Sequence, residues 1–231
     1  MRTLFHYPLC PFSRSIRLAL AECGVAIELE QQTPWAWGPE ILELNPAGSL
    51  PVLQDDEGHV ICGAYAISEY LSDCGEDTGP GGGAFSFFPG DEAERAEVRR
   101  LTDWFHRKMN DEVTAYLLVE KVNRRFDPDL VGSPEMEAIR AGRANLRYHL
   151  GYIGHLADER NWLAGEELSF ADLAAAAHLS CIDYLGDVPW GENASAKQWY
   201  ARIKSRPSFR ALLDDKVIGL TPPEIYADPD F

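Results

Sequence analysis

The stretch "EDTGPGGGAFSFFPG", residues 76–90, divides the chain into two parts that read with different periods. Before it, short β-type runs alternate with helical ones; after it, apolar residues recur only at helical spacing. "TLFHY" (3–7) and "VAIELEQ" (25–31) read as strands flanking a helix, "PFSRSIRLALAECG" (11–24), which Gly24 is placed to end. A strand–helix–strand unit predicts parallel pairing. An irregular loop and a short helix occupy 34–48, a hairpin turning at Asp56-Glu57-Gly58 occupies 50–63, and a further helix occupies 64–75. The expected organisation is an α/β N-terminal domain over 1–78, a linker over 79–90, an all-helical domain over 91–218 and a C-terminal tail over 219–231.

The helical part carries its own start signals. Asp91 with Glu94 three residues later forms a capping-box pattern, and the helix it opens runs to about 126, where Lys121, Arg124 and Arg125 suit the negative end of the helix dipole. Ser133-Pro134 predicts the next helix start. "LSFADLAAAAHLSCIDYLGD" (168–187) combines a Ser169–Asp172 box with Leu168 and Leu173 at staple positions, and its alanines predict burial on most sides. Pro207 is read as opening the last helix.

With 231 residues and 45% hydrophobic composition, the chain can bury a core without metal or disulfide staples. Its net charge of −16 argues against nucleic acid or an anionic membrane as partner, since both demand a basic face. Residues 1–78 hold 3 Arg and no Lys against 12 acids, or −9, and the remaining 18 basic and 25 acidic residues give −7. Cys10, Cys23, Cys62, Cys74 and Cys181 show neither zinc-ligand spacing nor a disulfide framework. Met1 opens no charged-then-apolar leader, and no apolar run is long enough to span a bilayer, so a reduced cytoplasmic protein is expected.

Cys10 precedes Pro11 at a helix start. If Pro11 is the first helical residue, Cys10 is the N-cap, and the free N–H groups of the first turn lower its thiol pKa and make a nucleophile. The other reading is a small residue tolerated at a cap. Tyr7 and Ser13 are the hydroxyls that could activate a thiol, although an aromatic at the end of a strand more often serves packing. Arg14 and Arg17 could balance an anion or pair with local carboxylates. His106, His149, His155 and His178 are widely spaced and form no metal-ligand pattern. Trp35 and Trp37 flank Ala36 in a loop, either as an exposed recognition patch or as a lid on the core. Ile225, Tyr226 and Phe231 in the tail are not needed by a merely disordered segment; a docked tail presenting Asp228 and Asp230 is expected.

In order and at these spacings, "HYPLCPFSRSIRLAL", "NPAGSLPVL" (45–53), "AISEYL" (66–71) and "SFAD" (169–172) resemble the cytosolic glutathione S-transferase family over nearly the whole chain. The resemblance implies a thioredoxin-like α/β N-terminal domain, an all-α C-terminal domain and a homodimer. It implies a cis Pro51 that turns the backbone of Leu50 toward glutathione. The family usually places an acidic residue and a serine before the "xAI" of the helix at 64; here those positions are Gly63 and Ala64, so the hydroxyl and the carboxylate are both missing. "EVTAYLLVEKVNRRF" (112–126), "IDYLGDVPWGE" (182–192), "WYARIKSRPSFR" (199–210) and "YADPDF" narrow the resemblance to the FtsZ-binding, glutathione-transferase-like division proteins of bacteria. That implies a non-catalytic dimer at the division site, with no cofactor, acting on the curvature or bundling of FtsZ filaments. Trp35, Trp37, Glu120, Lys121, Tyr226, Asp228, Asp230 and Phe231 are then the expected contacts. The alternative is an active glutathione S-transferase or thiol-transfer enzyme using Cys10, with glutathione as cofactor. A stress-type scaffold for another protein is a third reading.

Overall fold

The computed structural model describes residues 1–75 and 85–228; the "GPGGG" stretch and the tail residues Asp230 and Phe231 lie outside them. Strand β1 (Thr3–His6) leads into helix α1 (Pro11–Glu22), which Gly24 ends at φ +67°, and the chain returns as β2 (Glu28–Gln31). Helix α2 (Pro39–Leu44) and the hairpin β3 (Val52–Gln54) and β4 (Val60–Cys62) follow, then α3 (Ala64–Asp73). The sheet order is β2-β1-β3-β4, with β1 parallel to β2 (Leu4 opposite Leu29) and antiparallel to β3 (Leu4 opposite Leu53). β2 is shorter than the sequence predicts. All four of its residues are exposed, and Glu28 and Glu30 guard this edge with charge.

The FSFF end of the expected linker is not a solvated spacer. Phe85, Phe87 and Phe88 are buried, and the Phe87 carbonyl accepts the N–H of Phe170 at 3.0 Å. A long helical rod, α4 (92–126), then begins at the Asp91–Glu94 capping box. It is α-helical over Glu92–Asp103, widens to π-type turns over Trp104–Thr114 and again over Val119–Asn123, and ends as Arg124–Phe126. Helix α5 spans Met136–Glu159, starting later than Ser133-Pro134 suggests. The cause lies on α4: the Glu120 carboxylate accepts the N–H of Glu135 at 2.7 Å, and that contact sets where the helix starts.

Helix α6 (Phe170–Tyr184) is buried at every residue and runs through the middle of the molecule. α1 packs most extensively against it, so both parts of the chain share one core. A 3₁₀ turn at Trp190–Glu192, helix α7 (Ala194–Lys204), the 3₁₀ turn Pro207–Phe209 with short α8 (Arg210–Leu213), and α9 (Glu224–Ala227) complete the fold. Among the described residues no helix is long and apolar enough to cross a membrane.

The box at the start of α6 is a buried anchor. Asp172 Oδ1 accepts the N–H of Leu163 (2.9 Å) and the indole N–H of Trp199 (3.0 Å), while Oδ2 accepts the Ser169 N–H (3.2 Å). Burial pushes this carboxyl up, and the donors aimed at it act in the opposite direction. Asp172→Ala strands four buried donors, the Ser169 hydroxyl (3.1 Å) among them, and should lower stability by about 3 kcal/mol or more, read as a reduced urea midpoint at unchanged m-value.

Candidate functional site

The chain between β1 and α1 is held by its carbonyls. Cys10 N–H donates to Tyr7 O (3.0 Å), Arg14 Nε–H to Pro8 O (2.5 Å) and the Cys181 thiol to Leu9 O (3.4 Å). Cys10 is the N-cap of α1: its Sγ accepts the N–H of Ser13 at 3.4 Å, and its S–H faces Leu50 O at 3.8 Å. The helix start nevertheless fails to make a low-pKa thiol. Burial pushes the Cys10 thiol up; contacts from Ser13 and Phe12 and the Arg14 charge pull the other way and are outweighed. Among the described residues the buried Tyr7 hydroxyl has no hydrogen-bond partner, and burial pushes that phenol up as well. Ser13 is fully buried in the first turn.

Leu50–Pro51 is cis, as the resemblance implied. Gly63, at φ +89°, precedes α3 without a side-chain cap. Leu50, Gly63 and Ala64 line an open cleft of about 510 Å³ with Phe12, Ser49, Cys62, Tyr65 and His106. Lys and Arg are absent from this lining, so an anionic ligand would meet the N–H groups at the start of α3 without a cation or an anchoring hydroxyl from position 64.

His106 and His178, 72 residues apart, meet at 3.1 Å. Ser15 Oγ–H donates to Phe12 O and accepts from His106 Nε2–H (3.2 Å). His106 Nδ1 accepts from His178 Nε2–H, whose Nδ1 accepts from the Thr114 hydroxyl (2.9 Å). Every member is satisfied with both rings neutral, and burial pushes His106 down to about 3. Residue spacing held no signal for this pair. Among the described residues no group of three His, Cys, Asp or Glu side chains could hold a metal.

Of the residues expected at a protein contact, Trp35, Trp37 and Tyr226 share one apolar cluster with Tyr7 and Leu50, and the exposures of the set differ. Trp35 sits edge-on to Tyr7 (5.4 Å) and stacks on Phe126 (5.4 Å), so it ties the N-terminal loop to the end of α4. Trp37 lies against Gly48. Both rings remain partly exposed. Glu120 is not on the surface: it is 5% exposed and accepts from Arg124 Nε–H (2.5 Å) and the Glu135 N–H. Lys121 reaches Asp187 (2.5 Å) and Leu185 O. Tyr226 is fully buried, whereas Ile225 and Asp228 are exposed. Arg14 and Arg17 do pair with a carboxylate, but a distant one, Asp215 (3.3 and 2.8 Å).

Two family models match the chain: "Glutathione S-transferase, N-terminal domain" over residues 9–74 and "Glutathione S-transferase, C-terminal domain" over 114–207. The chain is 47% identical over 233 residues to FtsZ-localized protein A of Caulobacter vibrioides, covering 100% of this chain and 98% of that protein. The solved structure of FzlA from C. crescentus superposes with a TM-score of 0.93 at 47% identity, covering 100% and 99% of the two chains. A structure described as a glutathione S-transferase from Rhodospirillum rubrum superposes with a TM-score of 0.92 at 46% identity over both full chains.

The Cys10 environment predicts a sluggish thiol. Its iodoacetamide alkylation, followed by peptide mass spectrometry against pH, should show a midpoint above the ordinary value of about 8.5. A midpoint below neutrality would contradict this account of the site.

Proposed function

The chain belongs to the glutathione S-transferase family, and on that footing we propose that it is a non-catalytic division factor that associates with FtsZ in the cytoplasm at the division site. The observation that carries this reading is the full-length identity to a protein named for its localisation with FtsZ. The cleft supports it from the chemical side. Two missing charged-group hydrogen bonds at positions 63 and 64, at roughly 1.5–3 kcal/mol each, weaken glutathione binding by about two orders of magnitude or more. A thiol held above its ordinary pKa is a poor nucleophile at neutral pH.

An acidic chain meets an acidic filament protein through local complementarity and apolar anchors. The surface best suited to this is the half-exposed Trp35–Trp37 loop together with the tail segment, which Tyr226 anchors and which carries Ile225 and Asp228 outward. Glu120 and Lys121 serve that surface from beneath, by fixing the loop before α5 and the turn after α6. A homodimer would offer two equivalent contacts and so bridge or bend filaments through avidity. The Cys10 thiol facing Leu50 O at the cleft favours one second reading, a glutathione S-transferase with weak affinity for its thiol substrate.

Co-sedimentation with GTP-assembled FtsZ separates the two. The wild-type chain should pellet with filaments; Asp228→Lys and Trp37→Ala should stay in the supernatant with unchanged melting curves, and glutathione should bind only in the millimolar range. A wild-type chain that stays in the supernatant while binding glutathione at micromolar concentration would favour the enzyme.

A further inference from the structure

The guanidinium of Arg14 is completely buried, and each of its three nitrogens donates a hydrogen bond. Nε–H donates to Pro8 O (2.5 Å), in the loop that ends at Cys10. One Nη1–H donates to Ser180 Oγ (2.8 Å) on α6 and another to the Tyr226 hydroxyl (3.1 Å) in the tail. Nη2–H donates to Asp215 (3.3 Å), which Arg17 also grips with both of its terminal nitrogens. The Tyr226 hydroxyl donates its own hydrogen bond to Leu212 O (2.9 Å). A guanidinium is planar and its donors are fixed relative to one another, so these partners cannot move independently.

The tail is fastened at other points too, with Pro223 against Gly186 and Tyr226 in an apolar cluster with Tyr7 and Val122. Lys204 Nζ donates to Ile225 O (3.0 Å), and the Tyr226 ring packs edge-on against Tyr184 (5.1 Å). In the Cys10 loop Arg14 holds Pro8 O, beside the Cys10 N–H bond to Tyr7 O and the Cys181 sulfur contact to Leu9 O.

We infer that docking of the C-terminal helix and closure of the Cys10 loop are one coupled equilibrium, transmitted through the Arg14 guanidinium. A tail that lifts removes the hydroxyl from Arg14 and frees the guanidinium to turn, which loosens its hold on Pro8 O. A group that enters the cleft and shifts the Pro8–Cys10 segment acts on the tail in return, because coupling between two sites is reciprocal. The cleft that has lost its substrate anchors thereby keeps a role as a control point for the surface that carries Asp228. This last consequence rests on the proposed function, whereas the coupling itself does not and is tested without FtsZ.

The experiment compares the wild-type chain, Tyr226→Phe, and a chain ending at Thr221, each treated with iodoacetamide and read by peptide mass spectrometry. Cys23, buried at the C-terminal cap of α1, serves as the internal reference for global opening. In both variants Cys10 should alkylate about 5-fold faster or more relative to Cys23. In the reciprocal arm, wild-type chain alkylated at Cys10 should show faster amide exchange over 224–228 relative to α7. If the Cys10 to Cys23 ratio stays constant, whether both rates are flat or both rise together, the coupling is refuted. Unchanged exchange of the tail after Cys10 alkylation refutes it equally.

Discussion

A buried guanidinium holds this molecule together at the point where its pieces meet. Arg14 lies on α1 of the N-terminal domain, yet its partners are Ser180 on α6, Asp215 beyond α8 and Tyr226 near the C-terminus. An unpaired charge in such a place would cost several kcal/mol, so Asp215 has to approach and the segment carrying it has to wrap back over α1. Arg17 reinforces this by taking both oxygens of the same carboxylate. The path of the chain after α7, and with it the seat of the tail, follows from satisfying one cation on the first helix.

That dependence explains what could be read from the sequence. The strand–helix alternation, the Asp91 and Ser169 caps and the buried nature of α6 rest on local periodicity and short-range hydrogen bonds, and all were legible. The partners of Arg14 were not, because the contacts span 166 to 212 residues and nothing in "SRSIR" marks a cation destined for the interior. Glu120 shows the same limit at shorter range. In "VEKVNRR" it reads as one charge on a solvated face, but the turn between α4 and α5 brings the Glu135 N–H to it and draws it inward. Phe85, Phe87 and Phe88 were hidden by their glycine-rich surroundings.

The site was partly legible for a related reason. Cys10 at an N-cap was visible from Cys-Pro alone, and its position is as expected. Its electrostatics were not, since the sign of the pKa shift is set by burial against neighbours from distant segments rather than by the helix start. The His106–His178 pair repeats the lesson. Two side chains that look isolated in sequence complete a neutral hydrogen-bonded chain from the cleft wall to Thr114, filling the seam between α1, α4 and α6.

The persistence of the cleft's backbone is therefore weak evidence for catalysis. Val52 pairs with Phe5 and Cys62 in the sheet, and the Gly63 N–H donates to Pro51 O, so the segment from Leu50 to Gly63 is required by the fold whatever binds there. The fold constrains positions 63 and 64 as well, since Gly63 holds φ +89° and Ala64 is buried in the core. Neither residue supplies the carboxylate or the hydroxyl that the family usually places there. The Cys10 loop is constrained too, because Arg14 makes it part of the scaffold that seats the tail. The same guanidinium therefore fixes the thiol-bearing loop and the tail together, whichever of the two meets a partner.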